Sequence, residues 1–143
     1  IRVISGLYGI LKPYDGICPY RLEMQCKLDI DGKNLYKFWS DSIYKELYKD
    51  NEEVINLASK EYSKVITSYL KDEDKFITVD FKSFHKGKIR TIATEAKMLR
   101  GEMVRYIVDK KINNSDKLKE FCYNGYSFSE EYSNENNFVF FKI

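Results

Sequence analysis

The sequence predicts an α+β protein: a mixed sheet with flanking helices. Three observations predict it. Phe76–Phe84 alternates, with Ile77, Val79 and Phe81 on one face and Thr78, Asp80 and Lys82 on the other, which is the period of a strand. Thr94–Lys111 carries Ala96, Leu99, Met103 and Ile107 at steps of three and four, which is the period of a helix. Segments of both kinds interleave along the chain, with one clear hairpin among them.

Taken in order, Ile1-Arg2-Val3-Ile4 reads as a strand ending in the turn-forming run Ser5-Gly6-Leu7-Tyr8-Gly9. Pro13 and Pro19 break any helix across residues 10–33, and Tyr20–Met24 is extended at most. Asn34 is placed to cap a helix running to about Lys49, with Leu35, Tyr36, Trp39, Ile43 and Leu47 on one side and Trp39 in the core. Glu53–Ala58 reads as a short buried strand, and Ser59 as the N-cap of a helix to about Leu70. His85-Lys86-Gly87-Lys88 is a hairpin turn between Phe76–Phe84 and a returning strand, Ile89–Ala93. Ser115 caps a shorter helix to about Cys122. Asn124-Gly125 is a turn, Ser133–Asn137 a polar loop, and Phe138–Ile143 a terminal strand. With no repeat or linker, residues 1–143 form one domain. The chain opens on an apolar, strand-like segment without Met, so it is expected to be the C-terminal portion of a larger protein with an incomplete N-terminus.

Hydrophobic residues at 43% and charged residues at 32% give the balance of a globular rather than a disordered chain. No apolar run approaches the roughly 18 residues of a membrane span, and no leader is visible, so the expected location is cytoplasmic, off the membrane. Three Cys and one His exclude a disulfide scaffold and a zinc finger, and they supply no 2-His-1-carboxylate iron site. No metal or cofactor is expected. Net charge is only +2, yet residues 82–111 hold nine basic residues against three acidic ones, an excess of six. Charge is therefore segregated, and a local excess of that size can face an anion.

The most informative motif is Lys97-x-x-Arg100-Gly101. Its two cations share a side of the helix, and Gly101 lies one turn beyond Lys97. Glycine inside a helix costs about 0.8–1 kcal/mol relative to alanine, so the missing side chain suggests that something approaches there. Arg105, between Glu102 and Asp109, reads instead as an ordinary exposed ion-pair ladder. Ser5-Gly6-Leu7-Tyr8-Gly9 lacks the Gly-Lys-Ser/Thr ending of a P-loop. In Pro19-Tyr20-Arg21-Leu22-Glu23-Met24, Arg21 and Glu23 share one face if extended, either as a self-satisfied pair or as one wall of a polar cleft. Asn56-Leu57-Ala58-Ser59 with Glu61-Tyr62 crosses a strand-to-helix junction, where α/β sheets commonly place ligands; capping by Ser59 and a helix-dipole role for Glu61 explain the same residues. His85 is expected to be exposed. No established catalytic constellation is present.

In this order, Ser5-Gly6-Leu7-Tyr8-Gly9, Pro19–Met24, Leu35-Tyr36 with Phe38-Trp39, Asn56–Ser59 with Glu61-Tyr62, Lys97 with Arg100-Gly101, and Gly125-Tyr126 with Phe128 resemble the YaaA family of bacterial peroxide-stress proteins. The resemblance spans essentially the whole chain and corresponds to roughly the C-terminal 60% of a family member. It implies a cytoplasmic DNA-binding protein of the oxidative-stress response, with a YaaA-type mixed fold and a positively charged cleft, linked to limiting iron damage and to DNA repair. It also implies a helix-hairpin-helix element upstream of residue 1. Two positions depart from the family pattern: Glu95 stands where an aromatic is frequent, and Met98-Leu99 where a second Lys is common. Both lower local positive charge.

Two functional expectations follow. In the first, a cleft holds DNA phosphates largely independently of sequence, through Lys97, Arg100 and Arg21, with Lys12, Lys86 and Lys88 as outer steering charges. In the second, Ser5, Arg21, Glu23, Asn56, Ser59, Glu61, Tyr62 and Lys97 supply a polar pocket in which an enzyme acts on a nucleotide or a DNA base.

Overall fold

The structure, a computed structural model, describes residues 1–142 and consists of helices with a mixed sheet, an α+β fold. The chain divides into two compact units: Ile1–Glu52 with Ala58–Asp74, and Glu53–Leu57 with the residues from Lys75 onward.

The first unit opens with a hairpin. Strand β1 (Val3–Ser5) pairs antiparallel with β2 (Gly9–Leu11), in the register Val3↔Leu11 and Ser5↔Gly9. The expected bare turn is thus the tip of a two-stranded ribbon, and β2 occupies the start of the stretch expected to be irregular. Gly9 has φ +75°, a left-handed conformation that lets the chain reverse, and a Cβ there would lie 2.8 Å from the Trp39 ring. The helix expected over residues 34–49 is two helices, α1 (Leu35–Trp39) and α2 (Ser42–Tyr48). Asn34 caps the first as expected, its side chain accepting from the Lys37 N–H at 3.0 Å. The chain breaks at Ser40, with φ +48°. The break lies beside the anchored Trp39, whose indole N–H donates to the Gly6 carbonyl at 3.0 Å. Trp39 is accordingly half-buried against the hairpin rather than sealed in the core. Helix α3 (Lys60–Thr67) follows Ser59, which holds the N-cap position in extended conformation but makes no capping bond through its side chain. Met24, Leu35, Ile43, Leu47, Val65 and Ile66 are buried in this unit.

The second unit is built on β3 (Glu53–Asn56), β4 (Lys75–His85), β5 (Lys88–Arg90), β6 (Cys122–Tyr123), β7 (Tyr126–Phe128) and β8 (Asn137–Lys142). The spatial order is β3-β4-β8-β7-β6, with β5 also paired to β4. β3 and β8 run parallel to β4 and the other pairs are antiparallel, so the sheet is mixed. β8 lies between β4 and β7, and its Phe138, Val139 and Phe140 are buried in succession, a continuous apolar run. Ile143, the expected last residue of this strand, lies outside the described residues. Helix α4 (Ala93–Asp109) lays Ala96, Leu99 and Met103 on the sheet, where they join Ile77, Val79, Phe81, Phe121, Tyr126 and Phe140 in one cluster. The helix expected from Ser115 is a 3₁₀ segment, Ser115–Glu120, capped by Asn114, whose side chain accepts from the Asp116 N–H at 2.9 Å. Tyr126–Phe128 forms a strand that three residues of weak alternation did not reveal.

Candidate functional site

The cations of the second unit divide into paired and unpaired sets. Arg105 lies 3.9 Å from Glu102, the exposed ion pair expected of it. Lys86, Lys88, Lys97 and Arg100 take part in no ion pair among the described residues. Lys86 and Lys88 flank the tip of the β4–β5 hairpin, where Lys86 at φ +51° and Gly87 at φ +75° make the two-residue left-handed turn that suits a twisted ribbon. Every residue of β5 is exposed, and Arg90 at its end lies just ahead of α4. Within α4, Lys97 is exposed, whereas Arg100 is half-buried and its Nε is shielded from water without an acceptor. Nothing lies within 4 Å of a Cβ placed on Gly101, so the glycine does not serve close helix packing in this unit; it leaves open surface beside the two cations. Glu95, in the first turn, accepts a hydrogen bond from Tyr126 at 2.5 Å. Burial, then this bond, raises the Tyr126 pKa. Asn56 is buried in the same unit, its side-chain amide donating to Thr78 across the β3–β4 pair at 3.3 Å.

A second group of polar side chains lies in the first unit. Ser5 is 2% exposed, and its Oγ accepts from the N–H groups of Leu7 and Tyr8 at 3.2 and 3.0 Å. The same oxygen lies 2.5 Å from the Tyr20 hydroxyl. The Tyr20 ring meets Tyr8 edge-on at 5.4 Å. Glu61 Oε1 accepts from the Gln25 N–H at 3.2 Å, and the Glu61 carbonyl accepts from the Tyr36 hydroxyl at 2.9 Å. Burial foremost, then the negative charge of Glu61, raises the Tyr62 pKa, with Tyr20 and Glu23 contributing. Arg21 and Glu23 form an ion pair at 4.0 Å with their side chains 94% and 61% exposed, a pair that water screens. Lys12 is exposed on the same unit.

Among these residues the structure joins Ser5 to Tyr20, Glu23 to Arg21, and Glu61 to Gln25 and Tyr36. Tyr20 stands inside a quoted motif, yet nothing in its local sequence separates it from the other 11 tyrosines. Its partner Ser5 is fifteen positions away. Among the described residues no group of His, Cys, Asp and Glu is arranged to hold a metal ion, and no helix is long and apolar enough to cross a membrane.

Fold and surface together define an α+β protein that leaves cations unpaired beside an open glycine. Comparison with known proteins supplies the family. A family model described as "Peroxide stress protein YaaA" matches residues 1–132, and the chain belongs to that family. It is 56% identical over 143 residues to a UPF0246 protein of Ligilactobacillus salivarius, covering 99% of this chain and 58% of that one. It is 48% identical to a UPF0246 protein of Clostridioides difficile, with the same coverage, and 48% identical to one of Agathobacter rectalis, covering 98% of this chain and 57% of the relative. The chain therefore spans somewhat more than half the length of these relatives. Membership supports a role in peroxide stress.

Proposed function

We propose that the protein binds DNA during the response to peroxide stress, holding phosphates through Lys97 and Arg100 of α4 and attracting the duplex through Lys86 and Lys88 of the hairpin. Arg21 and Lys12 add positive charge on the first unit. The observation that carries the reading is selective pairing: α4 satisfies Arg105 with Glu102 but leaves Lys97 and Arg100 without a carboxylate. A helix that needed charge only for solubility gains nothing from a half-buried guanidinium whose Nε lacks an acceptor, since an unmet donor away from water costs about 1–3 kcal/mol. The terminal guanidinium nitrogens are not among the buried atoms, and a phosphate oxygen is a fitting acceptor for them, guanidinium being the cation best matched to it. The open face of Gly101 lets a backbone come near.

An enzyme acting on a nucleotide draws less support. A general acid or base works when it is held against its substrate and away from bulk water. Glu23 is largely exposed and screened by Arg21, while Glu61 already fixes the Gln25 amide and Asn56 already binds Thr78. A duplex-binding titration at one salt concentration tests the proposal. Lys97→Ala with Arg100→Ala is expected to lower affinity about tenfold or more, and Arg105→Ala to change it less than twofold. Equal losses from the paired and unpaired cations would remove α4 from the mechanism.

A further inference from the structure

The β4–β5 hairpin holds an apolar pair in the open. Along β4, Phe81 and Ser83 are buried, so alternation turns Phe84 to the opposite face. Phe84 is 64% exposed, and Ile89, its direct partner on β5, is 40% exposed. Directly opposed residues of an antiparallel pair share one face, with Cβ atoms about 4.5–5.5 Å apart, so the two form a single apolar ridge. The pairing of β4 with β8 ends at Ser83 among the described residues, and every residue from Phe84 to Thr91 is exposed. The ridge therefore stands on the part of the ribbon that reaches past the sheet.

Charge narrows what can cover it. Residues 81–92 contain four cations, Lys82, Lys86, Lys88 and Arg90, and no acid. None of the four forms an ion pair among the described residues. A second copy of the chain would bring four more cations against these, and an uncharged protein surface would leave them unmet. A polyanion meets them. They also lie around the ridge. Alternation sets Lys82 on the face of Phe84 and Ile89, sets Lys88 and Arg90 on the opposite face, and the turn carries Lys86 at the tip. A flat anionic surface reaches one face, whereas a DNA groove has phosphates along both walls and can admit a two-stranded ribbon. Between those walls, an aromatic ring finds its match in the stacking face of a base, which becomes available when a base step opens. We infer that the hairpin enters a groove of duplex DNA and wedges Phe84, backed by Ile89, into a base step, so that the protein holds its duplex kinked. This rests on the DNA-binding proposal above and gives the hairpin a role beyond attracting phosphates.

The test compares two duplexes of equal length and charge, end-labelled with a fluorescence donor and acceptor, one fully paired and one with a central mismatch that weakens stacking. The unsubstituted protein is expected to draw the ends of the paired duplex together, raising energy transfer. It is also expected to bind the mismatched duplex about three- to tenfold more tightly, because an opened step costs less to wedge. Phe84→Ala should abolish both effects and leave the salt slope unchanged, since every cation remains. Lys86→Ala with Lys88→Ala should do the converse, flattening the slope while the mismatch preference persists. Because the Phe84 side chain is largely exposed, the melting temperature of Phe84→Ala should stay close to that of the parent, which separates a binding role from a structural one. Undiminished preference and bending in Phe84→Ala, or a parent that binds both duplexes equally without bending them, overturns this inference alone. So does parent binding to phosphatidylserine vesicles that Phe84→Ala abolishes while both duplexes are bound as before, which would assign the ridge to a membrane. Failure of the unsubstituted protein to bind either duplex overturns the DNA-binding proposal and this inference with it.

Discussion

Gly9 meets two demands at once. Its φ of +75° is one that side-chain-bearing residues adopt at a cost, and the Trp39 ring occupies the space a Cβ would need. Gly9→Ala is therefore expected to destabilise the protein by about 2 kcal/mol or more, read as a lower denaturation midpoint with an unchanged slope, because a rigid indole pinned to Gly6 has little room to retreat. An unchanged midpoint would contradict the close packing of ring and hairpin. Phenols supply a second prediction. Tyr62 and Tyr126 have raised pKa values, chiefly through burial, and Tyr48 is pushed up to about 12. The folded state thus keeps protons that the unfolded chain gives up near pH 10. Below pH 10 their contribution to stability is fully present, and it declines as pH climbs from 10 toward 12. Melting temperatures measured between pH 8.5 and 11.5 should be flat at first and fall above about 10; a rise across that range would contradict the burial of these rings. At this scale the sequence was readable for Arg105, whose spacing from Glu102 on a helix announces their ion pair. It was readable also for Asn34, which caps as expected, but silent about the meeting of Tyr20 with Ser5 fifteen positions away, and about Asn114 as the side chain that caps where Ser115 does not.

Elements were legible where one local rule governs them. The alternation of β4 and the 3.6-residue stripe of α4 survive folding because a single buried face dictates each. The misreadings fall where distant contacts override periodicity. Residues 34–49 keep a helical stripe on paper, yet Trp39 is held at Gly6 and the chain breaks at Ser40. β2 and β7 are three residues each, too short for a period to register, and exist through their partners β1 and β8. Gly101 connects an element to function. It is exposed in the middle of α4 with open space around it, so Gly101→Ala should stabilise the protein by about 0.5–1 kcal/mol through helix propensity. The same substitution should weaken duplex binding if a backbone approaches that face. Higher stability with lower affinity is the expected pair of outcomes, measured by thermal melting and by gel shift. Lower stability would mean that the glycine is required by the fold itself.

For the whole molecule, the α+β class and the mixed sheet could be anticipated from interleaved periods, and the family from motifs kept in order. Strand order could not, because the sheet places the last strand of the chain beside β4 in the middle, a choice made by long-range burial of Phe138–Phe140. The net charge of +2 also conceals the relevant quantity, which is how many cations lack an internal partner. Lys86, Lys88, Lys97 and Arg100 are among the second-unit cations that make no ion pair within the described residues. Each phosphate contact contributes about 0.9 to the slope of log affinity against log salt on duplex DNA.

That slope is the most direct measurement of the central claim. Titrated from low to physiological salt, the protein should lose duplex affinity along a line, and the double variant Lys97→Ala with Arg100→Ala should flatten the line by about 1.8. Parallel lines for the protein and the double variant would contradict the account, since they would mean that α4 meets no phosphate.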